Sequence, residues 1–282
     1  MACMQTNAKL IDKLPKQFMN KFSRILVSID GNKERTDYNR GKGTYDKVLE
    51  NLKLIRKNGY QGEIVARMTL SEFPDIFEQV EHLLTIKEFD SVHWQLDMGF
   101  YKHDFNKEKY SKFVKEYNNS ITKLLNLWLK KIKQGKILKL YPFLGIFNSI
   151  YNNRTTKLRC GAGYAGFAIT TKGNIVPCPI MNNIKNFFLG NLDSKIKDLK
   201  EIKIESPCTE CSYLNLCGGR CLYSNKAKLW PQKGQELICN TIKHLINSIK
   251  KITPEIKQLR KKNTIKESQF NYEKYFGPEI IP

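Results

Sequence analysis

Seven of the eight cysteines in this 282-residue chain fall between Cys160 and Cys239, and they are its most chemically loaded residues. Their order is Cys160, Cys178, Cys208, Cys211, Cys217, Cys221 and Cys239, with four residues between Gly173 and Cys178. Cys208 and Cys211 are spaced to share one metal centre through a tight knuckle whose backbone amides turn toward the sulfurs. Between Cys217 and Cys221, Gly218 and Gly219 permit unusual backbone angles close to a bulky cofactor. Three chemistries compete for these thiols. Disulfides are disfavoured in a reducing compartment. Zinc needs four thiolates and Cys-x2-Cys is its commonest half, but the second Cys-x2-Cys pair that usually closes a zinc ribbon is absent. Iron–sulfur clusters, held by cysteine thiolates, take the remaining weight.

Composition sets the outer bounds. A hydrophobic content of 41% is ample for a packed core, and the length suits one large domain or two modest ones. No apolar run reaches the roughly 18 residues of a membrane span, and residues 1–9 lack the basic-then-apolar pattern of a secretory signal. The expectation is a cytoplasmic protein with no membrane partner. The formal charge of +21 invites a nucleic-acid reading, but the lysines are spread over nearly every expected helix rather than gathered in one stripe. That distribution disfavours nucleic acid and suits either an acidic peptide partner or simple solubility.

The elements around the cysteines follow from periodicity. Residues 24–29 form a β-branched run that suits a buried parallel strand, closed by Asp30 and Gly31. A helix is expected over 44–58, with Val48, Leu52 and Ile55 on one face. Residues 63–68 read as a second strand, 71–84 as a helix and 92–98 as a third strand. A long helix over 107–134 carries an inner stripe that includes Phe113, Tyr117, Ile121, Leu124 and Trp128. Such alternation argues for parallel βαβ units. Glycine, proline and cysteine become frequent near Cys160, with the boundary between Lys139 and Thr156. After Cys239, the pattern Ile242, Leu245, Ile246 and Ile249 gives one more helix, and a charged tail follows from Thr253. The histidines, His82, His93, His103 and His244, share no ligand spacing. Trp94 and Trp230 read as core.

The string Cys-x12-Gly-x4-Cys, a gap, Cys-x2-Cys-x5-Cys-x3-Cys, a gap, and Cys resembles the SPASM domain. That domain extends radical S-adenosylmethionine enzymes that mature peptides and proteins, among them anaerobic sulfatase-maturating enzymes. All seven cysteines of the family pattern are matched. The resemblance implies two auxiliary 4Fe-4S clusters with interleaved ligands: Cys208, Cys211, Cys217 and Cys239 for one, and Cys160, Cys178 and Cys221 for the other. Some relatives add a fourth ligand to the latter from a cysteine just after the first, and here residues 161–166 hold none, which implies an open iron.

The first half is similar to the later part of a radical S-adenosylmethionine barrel. Gln5-Thr6-Asn7 looks like the end of its third strand, residues 27–31 like the fourth and residues 63–67 like the fifth. By that resemblance Ser28, Asp30, Arg40 and Arg67 are cofactor contacts, as suits ligand sites at the carboxyl ends of parallel strands. Asp30 capping a turn and Arg67 pairing with a carboxylate are the plain structural alternatives. The departure is large: the Cys-x3-Cys-x2-Cys triad of the catalytic cluster does not occur, Cys3 being the sole cysteine before Cys160, and the Gly-Gly-Glu segment is missing too.

The expected fold is therefore α/β: a partial (β/α) radical-SAM-type barrel lacking its first strands over 1–145, a SPASM iron–sulfur domain over 146–252, and a tail over 253–282. An interrupted reading frame is the favoured explanation, with a separate upstream chain or a decaying gene as alternatives. The leading reading is a fragment of a peptide- or protein-modifying radical enzyme, inactive alone, with Asp97 and Asp104 near substrate. A non-catalytic iron–sulfur protein for electron transfer or peptide binding comes next, and a zinc-binding structural module third.

Overall fold

Four short runs rich in aliphatic residues form one parallel sheet: β1 (Ala2–Thr6), β2 (Phe22–Ser28), β3 (Glu63–Leu70) and β4 (Ser91–Leu96), in that spatial order. The computed structural model describes residues 2–97 and 105–272. Each neighbouring pair is parallel, so each connection is a crossover. The short helix α1 (Lys16–Met19) precedes β2, while α2 (Lys33–Arg40) and α3 (Thr44–Lys57) join β2 to β3. Helix α4 (Ile76–Leu83) joins β3 to β4, and α5 (Lys107–Lys133) and α6 (Tyr141–Tyr151) follow. This is the α/β architecture with a parallel sheet that the alternating pattern predicted.

The two faces of the sheet differ because successive side chains point to opposite sides. Ile25, Val27 and Ile29 join Ile64, Ala66 and Met68 of β3 and Val92 and Trp94 of β4 in the main core. Helices cover that face with Val48, Leu52 and Ile55 of α3, Val80 and Leu83 of α4, and Ile121, Leu124 and Trp128 of α5. The alternate positions, Ser28, Glu63, Arg67, Ser91, His93 and Gln95, carry polar side chains to the other face. A smaller cluster of Leu26, Val65 and Tyr141 lies apart from the main core, with Cys3 and Tyr272 against it.

Beyond α6 the chain changes character. A three-stranded antiparallel sheet is made of β5 (Ala168–Ile169), β6 (Asn174–Val176) and β7 (Gly190–Asn191). Its core is small: Leu158, Ala162, Val176, Met181, Phe187 and Leu222. Then come α7 (Leu214–Cys217), α8 (Leu222–Ala227) and α9 (Gln232–Lys261). Helix α9 returns to pack along α5 and α6, burying Ile242, Leu245, Ile246 and Ile249 in the main core.

Several bounds differ from expectation. The helix expected over 71–84 spans Ile76–Leu83, because Pro74 keeps the residues before it extended. The helix expected to end before Thr253 continues to Lys261 through Pro254, so it crosses the position where the tail was expected to begin. Met98 and Asp104, in the expected strand end and substrate region, lie outside the described residues, as does His103. Among the described residues no helix is long and apolar enough to cross a membrane.

Candidate metal centre

The segment from Thr156 to Cys160 runs beside the end of α7 and fixes the first cysteine relative to the later ones. Thr156 N–H donates to Asn215 O at 2.9 Å, and Leu158 N–H donates to Gly218 O at 2.7 Å. Arg159, 2% exposed, bridges the same two segments to α6: its Nε donates to Leu216 O at 2.9 Å and its Nη2 to Ser149 Oγ at 2.8 Å. This guanidinium lies one residue from Cys160 and contacts the carbonyl one residue from Cys217. Farther along, Asn225 pins α8 to the approach to Cys208. Its Oδ1 accepts from Glu205 N–H at 2.8 Å and its Nδ2 donates to Glu205 O at 2.9 Å.

The thiols fall into two groups by mutual electrostatic influence. Burial pushes Cys160 up to about 11, and the neighbouring Cys221 and Cys178 add to the rise. Burial also raises Cys178, with Cys221 adding. Cys217 is pushed up to about 11 by burial, with Cys239 and Cys208 adding, while Cys208 is raised by burial and then by Cys239 and Cys211. Cys239 is raised by burial, and Cys211 contributes. The neighbours of Cys160 and Cys178 are thus Cys178 and Cys221, and those of Cys208, Cys217 and Cys239 come from the remaining four. One cavity of about 440 Å³ is lined by all of Cys208, Cys211, Cys217 and Cys239. An adjoining cavity of about 420 Å³ is lined by Cys208, Cys221 and Cys239.

Burial disfavours the thiolate form of these thiols, so any metal they hold would have to displace their protons on binding. Backbone donors favour the thiolate: Ala162, Ile180 and Gly219 each donate an N–H to the sulfur two residues earlier, and Ser224 N–H approaches Cys221 Sγ at 3.5 Å. Amides aimed at sulfur are one of the means by which proteins set iron–sulfur potentials. All seven cysteines are free thiols rather than disulfides. Among the described residues no three His, Cys, Asp or Glu side chains converge closely enough to hold one metal ion. Seven thiols, four of them lining one cavity and several receiving backbone N–H donors, are the donor chemistry that an iron–sulfur group takes.

At the carboxyl ends of β2 and β3 lies a second, polar site. Asp30 is 4% exposed and its oxygens are well supplied: Arg40 Nη2 donates at 2.7 Å, Asn39 Nδ2 at 3.2 Å and Thr69 N–H at 3.1 Å. Asp30 N–H donates to Thr36 Oγ1 at 3.2 Å, so the residue also holds its own turn. Arg67, opposite Ser28 in the β2–β3 register, donates from Nη2 to Gln95 Oε1 at 2.7 Å. Burial and then the nearby Arg40 weaken its hold on its proton. Among the described residues it meets no carboxylate, and its Nε has no partner. Arg40 thus has the Asp30 carboxylate while Arg67 has none, leaving a local excess of positive charge on the polar face.

Asp97 follows β4 and lines a cavity of about 510 Å³ with Glu72, Lys109, Tyr110, Glu116 and Trp230. Of the histidines, His82 bonds Tyr45 and His244 bonds Thr122, while His93 is buried in β4. Trp94 lies in the main core as expected, whereas Trp230, though buried, belongs to no core cluster among the described residues and lines the Asp97 cavity and the one lined by Cys208, Cys221 and Cys239. Sequence reading missed Gln95, Arg159, Arg220 and Asn225. Only Arg220 carried a local signal, its place in the glycine run between two cysteines.

No known family model matches the chain. A cysteine-type anaerobic sulfatase-maturating enzyme of Clostridium novyi is 21% identical over 277 residues, covering 91% of this chain and 73% of that protein. An uncharacterized protein of Archaeoglobus fulgidus is 23% identical, over 83% of this chain and 58% of that protein. Among solved structures, native anSMEcpe with bound AdoMet and the Cp18Cys peptide superposes with a TM-score of 0.62 at 18% identity, covering 90% of this chain and 76% of that one. Native anSMEcpe with bound AdoMet gives a TM-score of 0.61 over the same 90% of this chain and 75% of that one.

Proposed function

We propose that this chain, which is similar in sequence to an anaerobic sulfatase-maturating enzyme and shares the fold of anSMEcpe, belongs to a radical S-adenosylmethionine enzyme that modifies a peptide or protein. In this reading it carries the auxiliary iron–sulfur domain and the cofactor-facing strand ends. The observation that carries the reading is the cavity lined by Cys208, Cys211, Cys217 and Cys239, the four thiols that the SPASM resemblance assigns to one cluster.

Cys208, Cys211, Cys217 and Cys239 would hold one 4Fe-4S cluster, and Cys160, Cys178 and Cys221 the other, whose fourth position is left to a non-cysteine ligand. When bound, such clusters supply one-electron transfer. The chain's own part is to donate backbone N–H groups to the sulfurs, which would stabilise thiolates once a cluster is bound, and to tie the segments that carry them to α6 and α7 through Arg159. At the strand ends, Arg67 oriented by Gln95 and Arg40 oriented by Asp30 present two guanidiniums suited to a carboxylate, as S-adenosylmethionine has. Ser28 supplies a hydroxyl beside them. Asp30 acts through Arg40 in this scheme and contacts no ligand itself.

These 282 residues contain no Cys-x3-Cys-x2-Cys stretch. In this reading the triad comes from residues outside these 282, in the same or a separate polypeptide, and the substrate is a peptide or protein. A second reading, resting on the same seven thiols, is a non-catalytic iron–sulfur protein for electron transfer or peptide binding. Anaerobic incubation of the reconstituted chain with S-adenosylmethionine and dithionite, followed by calorimetric binding, tests both. The expected result is binding that weakens about tenfold or more in Arg67→Ala, with no deoxyadenosine released. Absence of binding would leave only the electron-carrier reading, and deoxyadenosine release by this chain alone would contradict its inactivity.

A further inference from the structure

Three consecutive residues between Cys217 and Cys221 adopt positive φ: Gly218 at 74°, Gly219 at 85° and Arg220 at 52°. The first two are glycine for steric reasons. A Cβ on Gly218 would lie 2.7 Å from Leu158 N, and one on Gly219 would lie 2.7 Å from Ile204 Cδ1. Arg220 faces no such necessity. It carries a Cβ into a conformation that disfavours L-residues, and such strain persists where its surroundings impose it and function keeps it.

The run of left-handed residues turns the Arg220 side chain inward, where the residue is only 8% exposed. It lines the cavity of Cys208, Cys211, Cys217 and Cys239 and the adjoining one that reaches Cys221, and it is the one charged residue common to both among the described residues. Glu210, Glu236, Lys228 and Lys243 also face these cavities, but all four are exposed to solvent, which screens them.

We propose that Arg220 sets the reduction potential of the centre held by Cys208, Cys211, Cys217 and Cys239, raising it through a fixed, buried positive charge. Reduction adds one electron and one unit of negative charge to a centre already negative from its thiolates, so a nearby cation stabilises the reduced form more than the oxidised one. Exposed charges shift this balance far less. The proposal rests on the reading that these thiols bind iron–sulfur cores.

The test is a dithionite titration of the reconstituted full chain, with each centre followed by electron paramagnetic resonance, for the parent and for Arg220→Gln, Arg220→Gly and Arg220→Lys. Metal content is measured first on every sample. The signal that disappears in Cys211→Ser identifies the centre in question. In Arg220→Gln and Arg220→Gly that signal should move to lower potential, with its reduced-to-oxidised ratio at the parent midpoint falling about tenfold, or about 59 mV for one electron. The other signal should hold its position, and Arg220→Lys should recover most of the shift. Glycine suits the backbone angle at 220, so Arg220→Gly separates the charge from the fold. Full iron with neither signal moved in Arg220→Gly would overturn the proposal. Loss of iron from all three variants would make Arg220 a structural brace and overturn it as well. A parent chain that takes up zinc and no iron would instead defeat the cluster reading itself, and the proposal would fall with it.

Discussion

The half of the molecule built on β1–β4 and the half built on cysteines solve the same problem by different means. The sheet half buries one apolar face under α3, α4, α5 and α9, in a core that runs from Ala8 to Phe270. The cysteine half has strands of two or three residues and a core of little more than Leu158, Val176, Met181, Phe187 and Leu222. Such a core is too small to fix so many turns, which is the situation in which small domains recruit metal. The two thiol sets are also not equally supported. Cys217 packs against the main core and Cys239 lies on α9, whereas Cys160 and Cys178 pack against the small cluster.

That contrast is sharpest when the metal is removed. Stripping iron by chelation should open residues 160–225 to hydrogen exchange by on the order of a thousandfold or more, while the amides of β2 and β3 keep their protection. Uniform loss of protection across both halves would erase the distinction. The converse perturbation is Trp128→Ala. Trp128 is fully buried against Phe143, Phe147 and Phe270, with Nε1 donating to Leu138 O at 2.9 Å. Denaturation of the metal-loaded variant should show a loss of about 3–5 kcal/mol with its iron content unchanged.

How much of this was legible in the sequence depended on the kind of order involved. Strands β2, β3 and β4 and helices α3 and α5 announced themselves because their apolar positions repeat at the period of the element that buries them. Helix α2 did not, since only Thr36 is buried along it, and its sign is the Asn32 side chain accepting from Arg35 N–H. Helix α6 was hidden for the opposite reason. Tyr141 to Phe147 are all buried, so no polar face exists to mark a period. The clustering of seven thiols was legible from spacing, while their assignment to two sets comes from the resemblance alone. Their supports, Arg159 and Asn225, and the Arg67–Gln95 pair depend on contacts between distant segments, which no local pattern records.

A smaller effect tests the electrostatics of the sheet half. Burial pushes the Glu63 carboxyl up, but hydrogen bonds from Arg24 at 2.7 Å, Ser91 at 2.8 Å and Tyr141 at 2.8 Å outweigh it and hold the group below the usual carboxylate range. A carboxylate lowered on folding contributes stability above its unfolded value, near pH 4.3, and loses it as the pH falls through the folded value. Glu63→Gln should therefore cost about 1–3 kcal/mol at neutral pH and flatten the fall in stability below about pH 4.3 in denaturant titrations. A variant with the parent's acid profile would refute this. The smallest effect is expected at Lys133, whose pair with Glu255 at 2.6 Å is half exposed. Lys133→Ala should change stability by less than about 1 kcal/mol. A larger loss would give that surface helix contact a weight the comparison denies it.

Iron, acid-labile sulfide and zinc assayed together in chain purified without oxygen, parent beside Cys239→Ser, test most directly whether seven thiols form two iron–sulfur centres. The account predicts a coloured parent with equal iron and sulfide, no zinc, and a folded variant that keeps about half of the iron. A colourless parent holding stoichiometric zinc would contradict it, and so would a variant in which the two centres vanish together.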